Sequence, residues 1–123
     1  MQLDLCRNES IVSTYTTPAY MKSRAVSMGP NNYVNFTAYI RSLVDLSGTP
    51  TKSLAIAAEA SNDGVNWSAV TGLSLVSTVT GLVTAEGDVG FGWLRFDINL
   101  TLAGNPGDTA EAVFDLQANV MRK

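Results

Sequence analysis

Residues 93–102 read Trp93-Leu94-Arg95-Phe96-Asp97-Ile98-Asn99-Leu100-Thr101-Leu102. Apolar and polar side chains alternate without a break, and successive side chains of an extended chain point to opposite faces. Leu94, Phe96, Ile98, Leu100 and Leu102 therefore form one wall, and the residues between them face away from it. Three more segments repeat the pattern: Val34, Phe36, Ala38 and Ile40; Leu54, Ile56, Ala58 and Ala60; Ala112, Phe114, Leu116, Ala118 and Val120. Four such walls predict one dry interior shared by antiparallel sheets. The expected class is all-β, an antiparallel β-sandwich or jelly roll of about seven to eight strands, in a single domain over residues 1–123.

Turn chemistry divides the rest of the chain. Residues 10–17 have strong β propensity and stop at Pro18, with an N-terminal arm as the alternative reading of residues 1–9. Residues 25–28 suit a short strand ending at Gly29-Pro30. After Asn31-Asn32 a long strand covers 33–44, with Tyr33, Asn35, Thr37, Tyr39 and Arg41 outward. Ser47-Gly48-Thr49-Pro50 breaks it; residues 53–61 follow and end at Asn62-Asp63-Gly64, a pair-and-glycine suited to positive φ. Residues 73–80 and 82–85 are short β-prone pieces. Gly87, Gly90 and Gly92 mark 86–92 as a flexible loop or a bulged approach to the next strand. Residues 103–108 read as a turn joining 93–102 to 110–121 in a hairpin, which sets Arg95 across from Asp115 or Glu111.

Only 15% of residues are charged, against roughly 25% in ordinary domains. Ser, Thr and Asn do the solvating instead. Such a surface suits lasting contact with neighbours, because burying a hydroxyl or amide costs less than burying an ion. The net charge of −3, the pI near 4.7 and the scatter of the basic residues argue against nucleic acid and against anionic membranes. Cys6 is the only cysteine, so an intrachain disulfide and a Cys-rich metal site are excluded. Residues 1–7 lack the basic start and apolar stretch of a signal peptide, and no run reaches the roughly 18 apolar residues of a membrane span. Synthesis in a host cytoplasm is the expectation. The Asn-x-Ser/Thr triplets at Asn8, Asn35, Asn66 and Asn99 are read as coincidence in a chain this rich in those residues.

The absence of histidine removes the Ser-His-Asp and Cys-His schemes and the commonest general base. Glu59, Asp97 and Asp115 lie on outward rows, where a charge needs no special role, and Asp63 and Asp108 lie in glycine-containing turns. No carboxylate pair is compelled by spacing. Calcium, which takes oxygen ligands only, could draw on Asn62, Asp63 and Asn66, or on Glu86 and Asp88; turn chemistry accounts for the same residues. Neither a metal, a cofactor nor an enzymatic activity is expected.

One local motif stands out, Ala60-Ser61-Asn62-Asp63-Gly64-Val65-Asn66-Trp67. It resembles the Ser-x-Asp-Gly-x-x-Trp hairpin of discoidin-like sandwich domains, and a similar hairpin occurs in β-sandwich proteins of phage virions. The resemblance implies that Trp67 folds back across the sheet edge as a lid. Discoidin-like domains are longer and carry a terminal cysteine bridge, which this chain lacks, so their ligand binding is not carried over. In composition the chain resembles phage accessory proteins, which are signal-free, cysteine-poor and rich in Thr, Ser, Ala and Gly. The expected role is a non-enzymatic virion structural protein (head decoration, minor capsid or tail-associated subunit), self-associating and bound to other virion proteins. Tyr33, Tyr39, Trp67 and Trp93 are the candidate contact residues. The alternative is a carbohydrate-binding module in which the same aromatics stack on a glycan.

Overall fold

The computed structural model describes residues 2–15 and 17–123. In chain order the strands are β1 (Gln2–Thr14), β2 (Ala19–Lys22), β3 (Val26–Ser27), β4 (Tyr33–Ser47), β5 (Thr51–Ser61), β6 (Ser68–Ser77), β7 (Gly81–Asp88), β8 (Trp93–Ala103) and β9 (Thr109–Met121). Sheet A has the order β1-β9-β4-β7 and sheet B the order β2-β8-β5-β6, with β3 also along β8. All pairings are antiparallel. Counted as one interrupted edge strand, β2 and β3 leave eight strands wound between two sheets, a jelly roll. No helix among the described residues is long and apolar enough to cross a membrane.

The four walls read from sequence are the core. Their residues are buried, and Phe36 of sheet A meets Phe96 of sheet B at 4.7 Å between ring centroids, with planes tilted by 48°. Met28, Leu73 and Val89 complete the interior from the sheet margins. Residues 86–88, read as loop from their glycine content, belong to β7. A Cβ at Gly87 would lie 3.2 Å from the Leu73 side chain, a tight approach across the sandwich. Residues 2–9, where an arm was the alternative, are the first part of β1, paired to β9.

The interruption between β2 and β3 has a chemical device. Lys22 is opposite Asp97 and Val26 opposite Leu94, so the edge strand carries one extra residue, a bulge. The Ser23 N–H donates to the Phe96 carbonyl at 2.9 Å. The Phe96 N–H returns the bond to the Ser23 hydroxyl oxygen, also at 2.9 Å, in place of a strand carbonyl. Ser23→Ala strands that buried N–H and is expected to cost about 1–3 kcal/mol. Faster hydrogen exchange at the Phe96 amide, with its neighbours unchanged, is the measurement that checks it.

The hairpin expected between 93–102 and 110–121 does not form. β8 and β9 lie in opposite sheets, and the chain between them crosses the end of the sandwich. A wall facing one way satisfies period two equally well in either sheet, so the pattern could not choose. Asp108 shapes the crossing: its buried carboxylate accepts the Asn105 N–H at 2.9 Å, and its backbone carbonyl accepts from the Tyr15 N–H at 3.0 Å. Gly48, with φ of +73°, and Gly104 both lie against this carboxylate, where neither has room for a Cβ. Arg95 consequently pairs with Glu59, and Asp115 with Arg41.

Candidate functional site

The outer faces of the two sheets are where this molecule meets its surroundings, and register fixes what each displays. On sheet A, Gln2, Asn119, Asn35 and Glu86 form one cross-strand row, and Asp4, Gln117, Thr37 and Thr84 the next. Then come Asp115, Tyr39 and Leu82. The polar members bond among themselves: Gln2 to Gln117 at 3.2 Å, Asn35 to Glu86 at 3.3 Å and Thr84 to Asn35 at 3.2 Å. Arg41 donates twice to Asp115, at 2.6 and 3.0 Å, while its guanidinium lies 5.0 Å from the centre of the Tyr39 ring. Asp115 also takes the Asn8 N–H at 2.7 Å. The Arg41 bonds, then the Asn8 N–H, hold the Asp115 carboxyl below its ordinary range. A depression of about 250 Å³ lies over Thr37, Tyr39, Leu82 and Gln117.

On sheet B an ion-pair ladder runs across the strands. Lys22 Nζ is 3.0 Å from Glu59 and 3.1 Å from Asp97, and Arg95 is 3.0 Å from Glu59. Burial alone raises the Glu59 carboxyl, but hydrogen bonds from Lys22 and Arg95 outweigh it and bring it below its usual value. The Arg95 guanidinium caps the Trp67 indole at 4.2 Å, a cation–π contact. Below the ladder Tyr20, Asn99, Ala55 and Val76 form a row in register, exposed at its two ends.

The four aromatic candidates do not converge. Tyr33 keeps its outward phase, but its expected exposure is corrected: it is buried, with the Lys123 ammonium 4.2 Å over its ring. Trp67 is half-exposed, with Arg95 over its ring. Trp93, also on sheet B, lies beside Gly64 with 38% of its surface exposed. Tyr39 is the exposed candidate on sheet A. Sequence reasoning missed Leu82, Tyr20 and Val76, which are 68%, 66% and 64% exposed. The available signal was phase, since each is a large apolar residue out of step with the neighbouring wall.

The loop after β5 is organised by Asp63. Its Oδ1 accepts the N–H groups of Val65 and Asn66 and the Ser61 hydroxyl, each at 2.8 Å, and its Oδ2 takes the Asn66 side-chain amide at 2.8 Å. These donors, the Asn66 and Val65 N–H groups foremost, drive the carboxyl far below its normal range. Both Asp63 oxygens are thus engaged by N–H and O–H groups. A carboxyl depressed in the folded state stabilises above its unfolded value of about 3.9 and loses that contribution as pH falls through and below it. Asp115 and Glu59 act in the same direction. The thermal midpoint is therefore expected to fall between about pH 5 and pH 2, less steeply in Asp63→Asn. A midpoint flat across that window contradicts the assignment.

Cys6 is buried in β1. Burial first, then the charges of Glu9 and Asp115, push its thiol up to about 11, the opposite of an activated nucleophile.

No protein-family model matches the sequence, and no curated protein matches it. Solved structures share its fold over the whole chain. The PBSX exported protein XepA matches with TM-score 0.56 at 12% identity, over 100% of this chain and 36% of that one. The VP2 subviral particle of infectious bursal disease virus matches with TM-score 0.60 at 13% identity, over 99% and 32%. The chain thus spans about a third of the length of these proteins. A carbohydrate-binding module, TmCBM61 with β-1,4-galactotriose, superposes with TM-score 0.35 at 16% identity, over 94% and 67%, and carries no weight here. The likeness to a virus-particle β-sandwich is a likeness of fold.

Proposed function

We propose that the chain is a non-enzymatic structural subunit of a virion, a head decoration, minor capsid or tail-associated protein that works by binding copies of itself and neighbouring subunits. The observation that carries this reading is the character of the outer faces. On sheet B the charges of Lys22, Arg95, Glu59 and Asp97 are matched in-plane, and on sheet A Arg41 matches Asp115. Between them lie hydroxyls, amides and exposed apolar side chains such as Leu82, Tyr20 and Val76. A surface of that kind loses little when another surface covers it. The jelly roll is also the architecture that the VP2 subviral particle shares.

The glycan-binding alternative has less support. Arg95 already caps one face of Trp67 and Arg41 stands over Tyr39, which removes stacking surface from both rings. Unchanged tryptophan fluorescence on titration with polysaccharides is the expected result. The main reading predicts association by light scattering as concentration rises, and the protein among the components of purified virus particles. A chain that stays monomeric and is missing from particles overturns it.

A further inference from the structure

Three of the four sheet edges are spoiled for strand addition, and one is not. An open edge invites another strand, and proteins block that with bulges, prolines and charged side chains, lysine above all. β1 has register breaks between Asp4 and Cys6 and between Cys6 and Glu9, with Asn8 at φ of 50°. The β2–β3 edge is broken at Ser23, and β6 shifts its register between Ala57 and Glu59 of β5. β7 is different. It pairs with β4 from Tyr33–Asp88 to Ile40–Gly81 without a shift, and residues 82–88 contain no proline, lysine or arginine.

One hydrogen bond shows which main-chain groups of β7 are open. The Val89 N–H donates to the Asn32 carbonyl at 2.9 Å, in step with the β4–β7 register, so Val89 turns toward β4. Main-chain groups alternate in direction along an antiparallel strand. Gly87, Ala85, Val83 and Gly81 therefore turn theirs to β4. Leu82, Thr84, Glu86 and Asp88 turn theirs outward, where no strand among the described residues receives them. The interior row is unfinished here too. Val83 and Ala85 pack against the core but are only partly buried, whereas Ala38 and Phe36, their partners on β4, are fully buried. The rim is apolar: Leu82 is 68% exposed, and Val79, just before the strand, 67%.

We infer that β7 is a dimerisation edge, pairing antiparallel with β7 of a second copy about a two-fold axis at Thr84 and joining two four-stranded A sheets into one. The inference rests on the self-association reading above. The segment is complementary to itself in this register. Leu82, Thr84 and Glu86 exchange both main-chain bonds with Glu86, Thr84 and Leu82 of the second copy, all of them outward-turned groups. Thr84 meets Thr84, a favourable cross-strand pair. On the inner face Val83 meets Ala85, which continues the interior row across the seam. No carboxylate faces another. The two Glu86 side chains lie four residues apart along the seam, about 13 Å at about 3.3 Å per residue, beyond the screening length of about 8 Å at physiological salt. An axis at Ala85 instead makes them diagonal neighbours. The contact is isologous, so it closes at two copies and leaves the outer faces to other subunits.

Sedimentation velocity of the full chain should show wild type passing from monomer to dimer as concentration rises. Thr84→Pro removes an outward N–H and sets a ring in the path of the second strand. Proline is tolerated where an edge strand's N–H faces solvent, so the variant should fold and stay monomeric. Leu82→Glu, at an exposed position where folding is spared, places like charges opposite each other on both sides of the axis. It should raise the dimer dissociation constant on the order of tenfold. Adding Glu86→Lys to it makes those pairs opposite in charge and should restore the dimer, which a damaged fold would not do. Thr84→Cys should cross-link the dimer on mild oxidation and Asp88→Cys should not; Cys6 is buried and stays out of the reaction. A Thr84→Pro variant that dimerises like wild type, or a double variant that stays monomeric, overturns the edge pairing while leaving self-association standing. A wild type that stays monomeric also overturns it, and protection of the β7 amides only within particles would then give the edge to another virion protein. The virion reading itself falls only if the protein is missing from particles as well.

Discussion

Phe96→Ala is expected to lower unfolding free energy by about 3–5 kcal/mol, out of roughly 5–15 kcal/mol available to a domain of this kind. Phe96 is fully buried in β8, and its ring meets Phe36 from the opposite sheet at 4.7 Å. Truncation removes the apolar surface that the two sheets share and opens a cavity that β5 and β2, hydrogen-bonded along either side of β8, hold from collapsing. Phe96→Leu keeps most of the volume and should lose well under half as much. Urea unfolding is the measurement, with the midpoint falling and the slope kept. A loss below about 1 kcal/mol is what an ordinary surface site gives, and it would show that the two sheets do not share a close-packed interior.

Gly48→Ala should be nearly as damaging although it adds a single methyl group. Gly48 has φ of +73°, and a Cβ there collides with the buried Asp108 carboxylate. The left-handed backbone costs an L-residue about 1–2 kcal/mol, and forcing atoms into a filled space adds about 1–3 kcal/mol. The two parts separate in a double-mutant cycle. Asp108→Ala alone releases the Asn105 N–H from its acceptor and costs about 1 kcal/mol. In the Gly48→Ala background the same change removes the collision, so the pair should be less destabilised than the sum of the singles. Additive losses would assign the whole effect to the backbone.

The walls were legible because period two is a property of single strands, and each row is long enough to be unmistakable. Which strand pairs with which was not. The turn at 103–108 is as emphatic as a hairpin turn, yet it carries the chain from one sheet to the other, and nothing local in Ala103-Gly104-Asn105-Pro106-Gly107-Asp108 distinguishes the two. What holds the crossing includes Gly48, far away in sequence, whose missing side chain makes space for Asp108. Gly87 misled for a similar reason: a glycine inside a strand, close to Leu73 across the interior, looks identical in sequence to one in a flexible loop. On the surface, phase identified Tyr33, Tyr39 and Trp93 as outward-facing but not that Tyr33 is covered, because Lys123, whose ammonium lies over its ring, is ninety positions on. Trp67 resembled an edge lid, and the guanidinium that claims its ring comes from β8.

The position of β9 between β1 and β4 has a consequence for biosynthesis. Gln2 finds its mate in Asn119, so sheet A lacks β9 beside β1 until residue 119 has left the ribosome. At roughly 5–20 residues per second, the leading strand waits on the order of 6–20 s with its apolar side chains uncovered. During that interval a chaperone, or another nascent chain on the same message, competes for the place that the last strand will take.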